Sequence, residues 1–123
     1  MTAHMKWLLK AERHLNGAKT LFKDCYFDLC AYHTQQCVEK ALKGYWGFQN
    51  HKVLKTEDLT KLLVSCINYE ADFINLRTEV SNLNGFGTKF RYPDTIFEPP
   101  ESATLQAISD AESVLNFVKN KII

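Results

Sequence analysis

The chain has no run of alternating apolar and polar residues, no repeat at a fixed period and no low-complexity tract, so neither a half-buried sheet nor a solenoid is expected. No window approaches the roughly 18 to 20 apolar residues that span a bilayer, and the start lacks the apolar run of a signal peptide. A cytoplasmic protein with no membrane association is the expectation. Excess charge of one sign is also missing: Lys and Arg number 15 against 14 Asp and Glu, a net charge of +1. That balance excludes whole-surface attraction to nucleic acid or membrane, and any anion site must be local. Cys25, Cys30, Cys37 and Cys66 contain no Cys-x-x-Cys pair and fall in or beside apolar stripes. They read as small reduced core residues rather than a disulfide framework.

What is present suits one compact domain over residues 1–123, with 46% hydrophobic and 24% charged residues, close to soluble globular averages. Leu8, Ala11, Leu15, Ala18, Phe22 and Cys25 recur at steps of three and four, which places them on one face of a first helix. A short break is expected between Asp24 and Phe27. The same spacing then resumes through Phe27, Cys30, Ala31, Thr34, Cys37 or Val38, Ala41 or Leu42, and Tyr45, a second long helix reaching about Phe48. Thr56, followed by two acidic residues, supplies an N-cap oxygen for a third helix starting near Glu57. Leu59, Leu62, Leu63, Cys66 and Ile67 form its core face, and a nearly continuous fourth helix uses Phe73, Leu76, Val80 and Leu83. Asn84-Gly85 ends it. The three prolines, Pro93, Pro99 and Pro100, all fall in the non-periodic stretch from Gly85 to Pro100, which reads as one long loop. A last helix opens between Glu98 and Ser102 and carries Ile108, Ala111, Leu115, Val118 and Ile122. About five such helices can hide their stripes only against one another, so the expected fold is all-α, an up-and-down antiparallel bundle with a long loop before the last helix.

Two stretches could carry chemistry. Gln36, Glu39, Lys40 and Lys43 share one flank of the second helix, which reads either as a solvated face with a Glu39–Lys43 pair or as one wall of a binding cleft. Cys30, His33 and Cys37 have the spacing of metal ligands, but the cysteines fall on the core stripe, so no metal site is assigned and His33 reads as a boundary histidine. His4, His14 and His51 have no partner at ligand or triad spacing, and no residue is assigned a nucleophilic role.

The second stretch is "GFGTKFRYPD", residues 85–94. It lacks the Gly-Lys-Ser/Thr ending of a phosphate loop. Gly85 and Gly87 allow close backbone approach, Lys89 and Arg91 offer positive charge, and a guanidinium can hold phosphate through two parallel hydrogen bonds. Phe86, Phe90 and Tyr92 could stack on bases. Equally, Tyr92 and Pro93 could pin a crossover onto the bundle while Arg91 pairs with Asp94 or Glu39.

The order of these features, "AERHLNGAKTLF" after Trp7, "CAYHTQQCVEKALKGYW", "KTEDLTKLL" and "KFRYPD" before a final Ala-containing helix, resembles the HEPN family, the higher eukaryotes and prokaryotes nucleotide-binding domain. The likeness spans almost the whole chain, with "QQCVEKALK" and "RYPD" its most specific pieces. It implies a helical bundle forming a two-fold homodimer that binds or acts on nucleotides or RNA, often beside a small nucleotidyltransferase in a toxin–antitoxin pair. In the ribonuclease branch an arginine is followed after four to six residues by a histidine. Here Arg91 is followed by Tyr92 through Glu98 with no histidine, and Thr56-Glu57-Asp58 stands where relatives carry Thr-His-Asp or Thr-His-Ser. No catalytic residue and no cofactor are therefore assigned. The resemblance implies a nucleotide- or RNA-binding homodimer in which Arg91, Lys89, Tyr92 and Asp94, with Glu39, Lys40 and Lys43, hold a phosphate-bearing ligand or a partner. The alternatives are a metal-independent ribonuclease toxin drawing on His33 or His51, and a protein-interaction module with no nucleic-acid ligand. Tyr45, Trp46 and Phe48 are the expected aromatic contribution to a dimer contact.

Overall fold

The computed structural model describes residues 1–49, 52–93 and 98–122. Helix α1 spans Ala3–Lys23, α2 Phe27–Phe48 and α3 Leu59–Ile67. A 3-10 segment, Ala71–Leu76, leads directly into α4, Arg77–Leu83, then α5, Phe86–Lys89, and α6, Glu101–Ile122. No strand occurs among the described residues, and none of the described helices is long and apolar enough to cross a membrane.

The α1–α2 hairpin turns where the sequence loses its period. Tyr26 N–H bonds to Leu21 O and Cys25 N–H to Phe22 O, the pair of bonds that closes a helix through a left-handed residue. Cys25 takes that position with φ 64°, unusual for a residue other than glycine. It is therefore exposed, against the expectation that it joins the core; Cys30, Cys37 and Cys66 are buried, and all of the cysteines are free thiols. Burial in apolar surroundings pushes the Cys30 thiol up to about 11 and those of Cys37 and Cys66 up to about 12, so they are unreactive near neutral pH.

Helix directions follow from the contacts. Phe22 meets Phe27, His14 meets His33 and His4 meets Phe48, so α2 runs back along α1. Ion pairs Lys19–Glu112 and Glu12–Lys119 set α6 antiparallel to α1. Phe73–Phe117 and Asn82–Asp110 set the 3-10 segment and α4 antiparallel to α6. The result is the expected up-and-down bundle. Most of its buried apolar side chains form one cluster, and the contacts of Tyr45 with Phe73 and of Phe73 with the partly buried Phe117, ring centroids 4.4 and 5.0 Å apart, join α2, the 3-10 segment and α6.

Boundaries differ from the sequence expectation in three places. The N-cap of α3 is Asp58, not Thr56: the Asp58 carboxylate accepts from Thr60 N–H at 3.0 Å and Lys61 N–H at 3.3 Å, while Thr56 Oγ1 accepts from Asp58 N–H. A charged acceptor at the positive helix end outcompetes a hydroxyl. Asn84 reinforces the choice, since its amide donates to Asp58 and its Oδ1 accepts from Leu59 N–H. The expected fourth helix is split because Phe73 and Leu76, three apart and both buried, stack one above the other in 3-10 geometry before α geometry takes over. Finally, the expected loop after Gly85 begins with the short helix α5.

Candidate functional site

The flank of α2 is not a solvated face. Glu39 is only 3% exposed. Its Oε2 accepts from Lys43 Nζ at 3.0 Å and from Lys40 Nζ at 3.2 Å, and Lys40 also donates to Gln36 Oε1. The other carboxylate oxygen, Oε1, is buried with no hydrogen-bond partner among the described residues. The expected Glu39–Lys43 pair is therefore present, but at a depth the periodicity did not disclose. Helix α1 supplies the cover, with Trp7 lying 5.8 Å from the Lys43 ammonium in a cation–π arrangement.

One turn earlier on the same ridge, Gln35 holds the loop. Its Oε1 accepts from Gly87 N–H at 2.7 Å and Thr88 N–H at 3.2 Å. Gly87 lies so close to α2 that a Cβ there would sit 2.7 Å from Tyr32 Cα and 2.9 Å from Ala31 O. Only glycine permits that approach. Phe90 is buried and packs edge-on against Phe86 at 5.4 Å, so these rings serve as anchors rather than as stacking platforms for bases. Gly87, Phe86 and Phe90 do the pinning that the sequence assigned to Tyr92 and Pro93, both of which are exposed.

Directly after this anchor, residues 91–93 are exposed. Arg91 N–H bonds to Thr88 O at 3.2 Å, which closes the turn, and the Arg91 side chain has no ion pair among the described residues. The pairing of Arg91 with Glu39 is not formed, because Glu39 is shared by Lys40 and Lys43. Lys89 is exposed with its ammonium 5.7 Å from the Phe90 ring, and Tyr92 is 68% exposed. Asp94 and His51 lie outside the described residues. The structure thus gathers Arg91, Lys89 and Tyr92 on one anchored turn, and sets Glu39, Lys40 and Lys43 on the helix ridge to which that turn is tied.

Sequence reasoning missed a histidine pair. His14 on α1 and His33 on α2 bring their Nδ1 atoms within 2.9 Å, with ring centroids 5.1 Å apart. Burial, the neighbouring His33 and the cations Lys40 and Lys10 push His14 down to about 4, and burial lowers His33 as well. The signal was there in the short α1–α2 turn, which obliges residues near 14 to face residues near 33. Among the described residues no three His, Cys, Asp or Glu side chains are grouped so as to hold a metal ion. The aromatic group at the end of α2 divides: Tyr45 is fully buried and donates to Glu70, Trp46 donates to Lys52 O, and Phe48 meets His4 edge-on while staying 38% exposed. Tyr45 is not available to a second subunit.

The geometry defines an all-α bundle that displays a cationic turn beside a buried carboxylate–lysine ridge. The chain belongs to the HEPN domain family, whose family model matches residues 4–121. The crystal structure of ST0689, described as an archaeal HEPN homologue, superposes with a TM-score of 0.78 at 30% identity over 100% of both chains. That of TT1696 from Thermus thermophilus has a TM-score of 0.80 at 23% identity, covering 98% of this chain and 99% of the other, a likeness of fold. Among curated proteins, "Putative toxin MJ1304" of Methanocaldococcus jannaschii is 28% identical, over 93% of this chain and 84% of its own length.

Proposed function

We propose that the chain acts as a single-domain HEPN homodimer that binds a nucleotide or RNA through Arg91, without strong catalysis of its own and in partnership with a small nucleotidyltransferase. The observation that carries this reading is the contrast in charge satisfaction: Arg91 stands in solvent without a carboxylate among the described residues, on a turn fixed by Gln35 and Gly87. A guanidinium preorganised in this way can grip phosphate bidentately at low entropic cost. Lys89 adds charge and Tyr92 a ring face to the same turn, with Asp94 two residues further on in sequence. Glu39, Lys40 and Lys43 shape the ridge behind it.

Titrating the wild-type protein and Arg91→Ala with a nucleoside monophosphate and a short single-stranded RNA, at one fixed low salt concentration, tests the assignment. Loss of one charge-assisted bidentate contact is expected to weaken binding by about tenfold. Equal affinities overturn it. A monomeric mass at micromolar concentration contradicts the homodimer, and failure to co-purify with a nucleotidyltransferase encoded beside it contradicts the partnership.

A second reading is a metal-independent ribonuclease toxin in which Arg91 works with His33 or His51; the name of the Methanocaldococcus jannaschii relative supports only the word toxin. His33 is held against His14 with a lowered pKa, which leaves it neutral near pH 7 and weak as a proton acceptor. Absence of RNA cleavage at high protein concentration in a chelating buffer removes this alternative.

A further inference from the structure

On the α1 side of α2, Lys10, Arg13, His14, Gly17 and His33 bound a cleft of about 230 Å³. That is several times the roughly 30 Å³ a water molecule occupies in the liquid. Its lining contains no carboxylate, and neither Lys10 nor Arg13 has an ion pair among the described residues. Gly17 leaves the floor open, since a Cβ there would meet nothing within 4 Å.

The histidine pair adds chemistry that surface lysines lack. With the Nδ1 atoms 2.9 Å apart, one ring must donate and the other accept. The Nε2 edges are then left for a ligand, and neither has a hydrogen-bond partner among the described residues. When the pair carries one additional proton, the Nδ1–H···Nδ1 bond persists and both Nε2 atoms become donors. In the unliganded protein that proton is disfavoured by burial and by Lys10 and Lys40, with Glu39 opposing them weakly because Lys40 and Lys43 share its charge. Tyr32 packs edge-on against His33 at 5.2 Å. An anion seated in the cleft reverses the balance.

We propose that this cleft is a second anion site, distinct from the Arg91 turn, in which Lys10, Arg13 and the singly protonated His14–His33 pair hold one phosphate group of a small phosphorylated ligand or of an RNA strand. Entry of the phosphate draws one proton onto the histidine pair. Binding through this cleft therefore strengthens as the pH falls through the midpoint of the pair, where a phosphodiester and a singly protonated phosphomonoester each still carry one negative charge.

The test is NMR of the His14 and His33 side chains, titrated between about pH 4 and about pH 8 in chloride at constant ionic strength. The titration is then repeated with inorganic phosphate, with a nucleoside 5′-monophosphate and with a short oligoribonucleotide. A bound phosphate is expected to raise the midpoint of the pair by about one unit, which corresponds to about tenfold tighter binding to the protonated form. The combined variant Lys10→Gln, Arg13→Gln, at exposed positions that leave the core untouched, is expected to remove most of that rise. A rise with inorganic phosphate and the monophosphate identifies a small ligand; a rise with the oligoribonucleotide alone identifies an RNA path. An unmoved midpoint with all of these probes overturns the site, as does a rise that the combined variant leaves undiminished. Because the signal comes from His14 and His33 themselves, failure here leaves the Arg91 reading standing, and failure of the Arg91 titration leaves this site standing.

Discussion

On the ridge of α2, Glu39 is buried and shared between Lys40 and Lys43, whereas on the turn after α5, Arg91 stands in solvent with no carboxylate among the described residues. Both clusters are charged, and the turn is tied to the ridge through Gln35, one helical turn from Glu39. Their surroundings assign them different work. A carboxylate withdrawn from water must be compensated inside the fold, so its removal strands the lysines and falls on stability. An exposed guanidinium contributes little to stability, and its removal falls on whatever it binds.

Glu39→Ala makes the contrast sharpest, with an expected loss of about 3 kcal/mol in chemical denaturation because two part-buried ammonium groups lose their shared partner. A loss under about 1 kcal/mol places Glu39 with the exposed residues and removes the distinction. Next comes the hinge between the clusters. Gly87→Ala drives a Cβ into the Tyr32 and Ala31 backbone, which cannot rotate away, and should cost about 2 kcal/mol while displacing Arg91. Gln35→Ala should cost about 1 kcal/mol by leaving the Gly87 and Thr88 N–H groups without their acceptor, and it should weaken ligand binding in parallel. Binding unaffected by either change would mean that the anchor does not position Arg91.

The smallest stability effect is expected from pH. His14 is held at about 4 in the folded chain, below its ordinary value of 6.5, so between those values the unfolded chain binds more protons than the folded one. Stability is therefore complete above about pH 6.5 and declines as the pH falls toward about 4. The lowered His33 acts in the same direction, and solvent screening of these half-exposed rings keeps the effect modest. Thermal melts of wild type and His14→Gln across that window should show the flatter profile in the variant. Identical profiles would refute the assignment of the low value to His14.

The bundle is legible because periodicity and end signals agree: the stripes of α1, α2 and α6 place most of the residues they name in or against the core, Cys25 excepted, and Asn84-Gly85 marks the end of α4, with Gly85 at φ 80°. The choice between Thr56 and Asp58 was not legible, since both side chains can cap and Asn84, distant in sequence, tips the balance. Glu39 sits at the border of its stripe, where depth depends on how far α1 and Trp7 reach across α2. The roles of Phe86 and Phe90 were ambiguous for a related reason, because an aromatic ring in an irregular stretch suits a ligand or the core equally well. The short α1–α2 turn that the periodicity predicts sets residues near 14 opposite residues near 33, so the His14–His33 pair is legible once turn and histidines are taken together. Exposure of Arg91 is the property on which the functional reading turns, and a sequence motif cannot supply it.

The most direct test pairs two readouts on Arg91→Ala: affinity for a short single-stranded RNA across a salt series, and the unfolding midpoint of the same samples. The account predicts weaker binding by about tenfold at low salt, a log–log salt dependence shallower by about 0.7 for each phosphate that Arg91 neutralises, and an unchanged midpoint. Unchanged affinity and slope, or a fall in the midpoint comparable to that of Glu39→Ala, would contradict it.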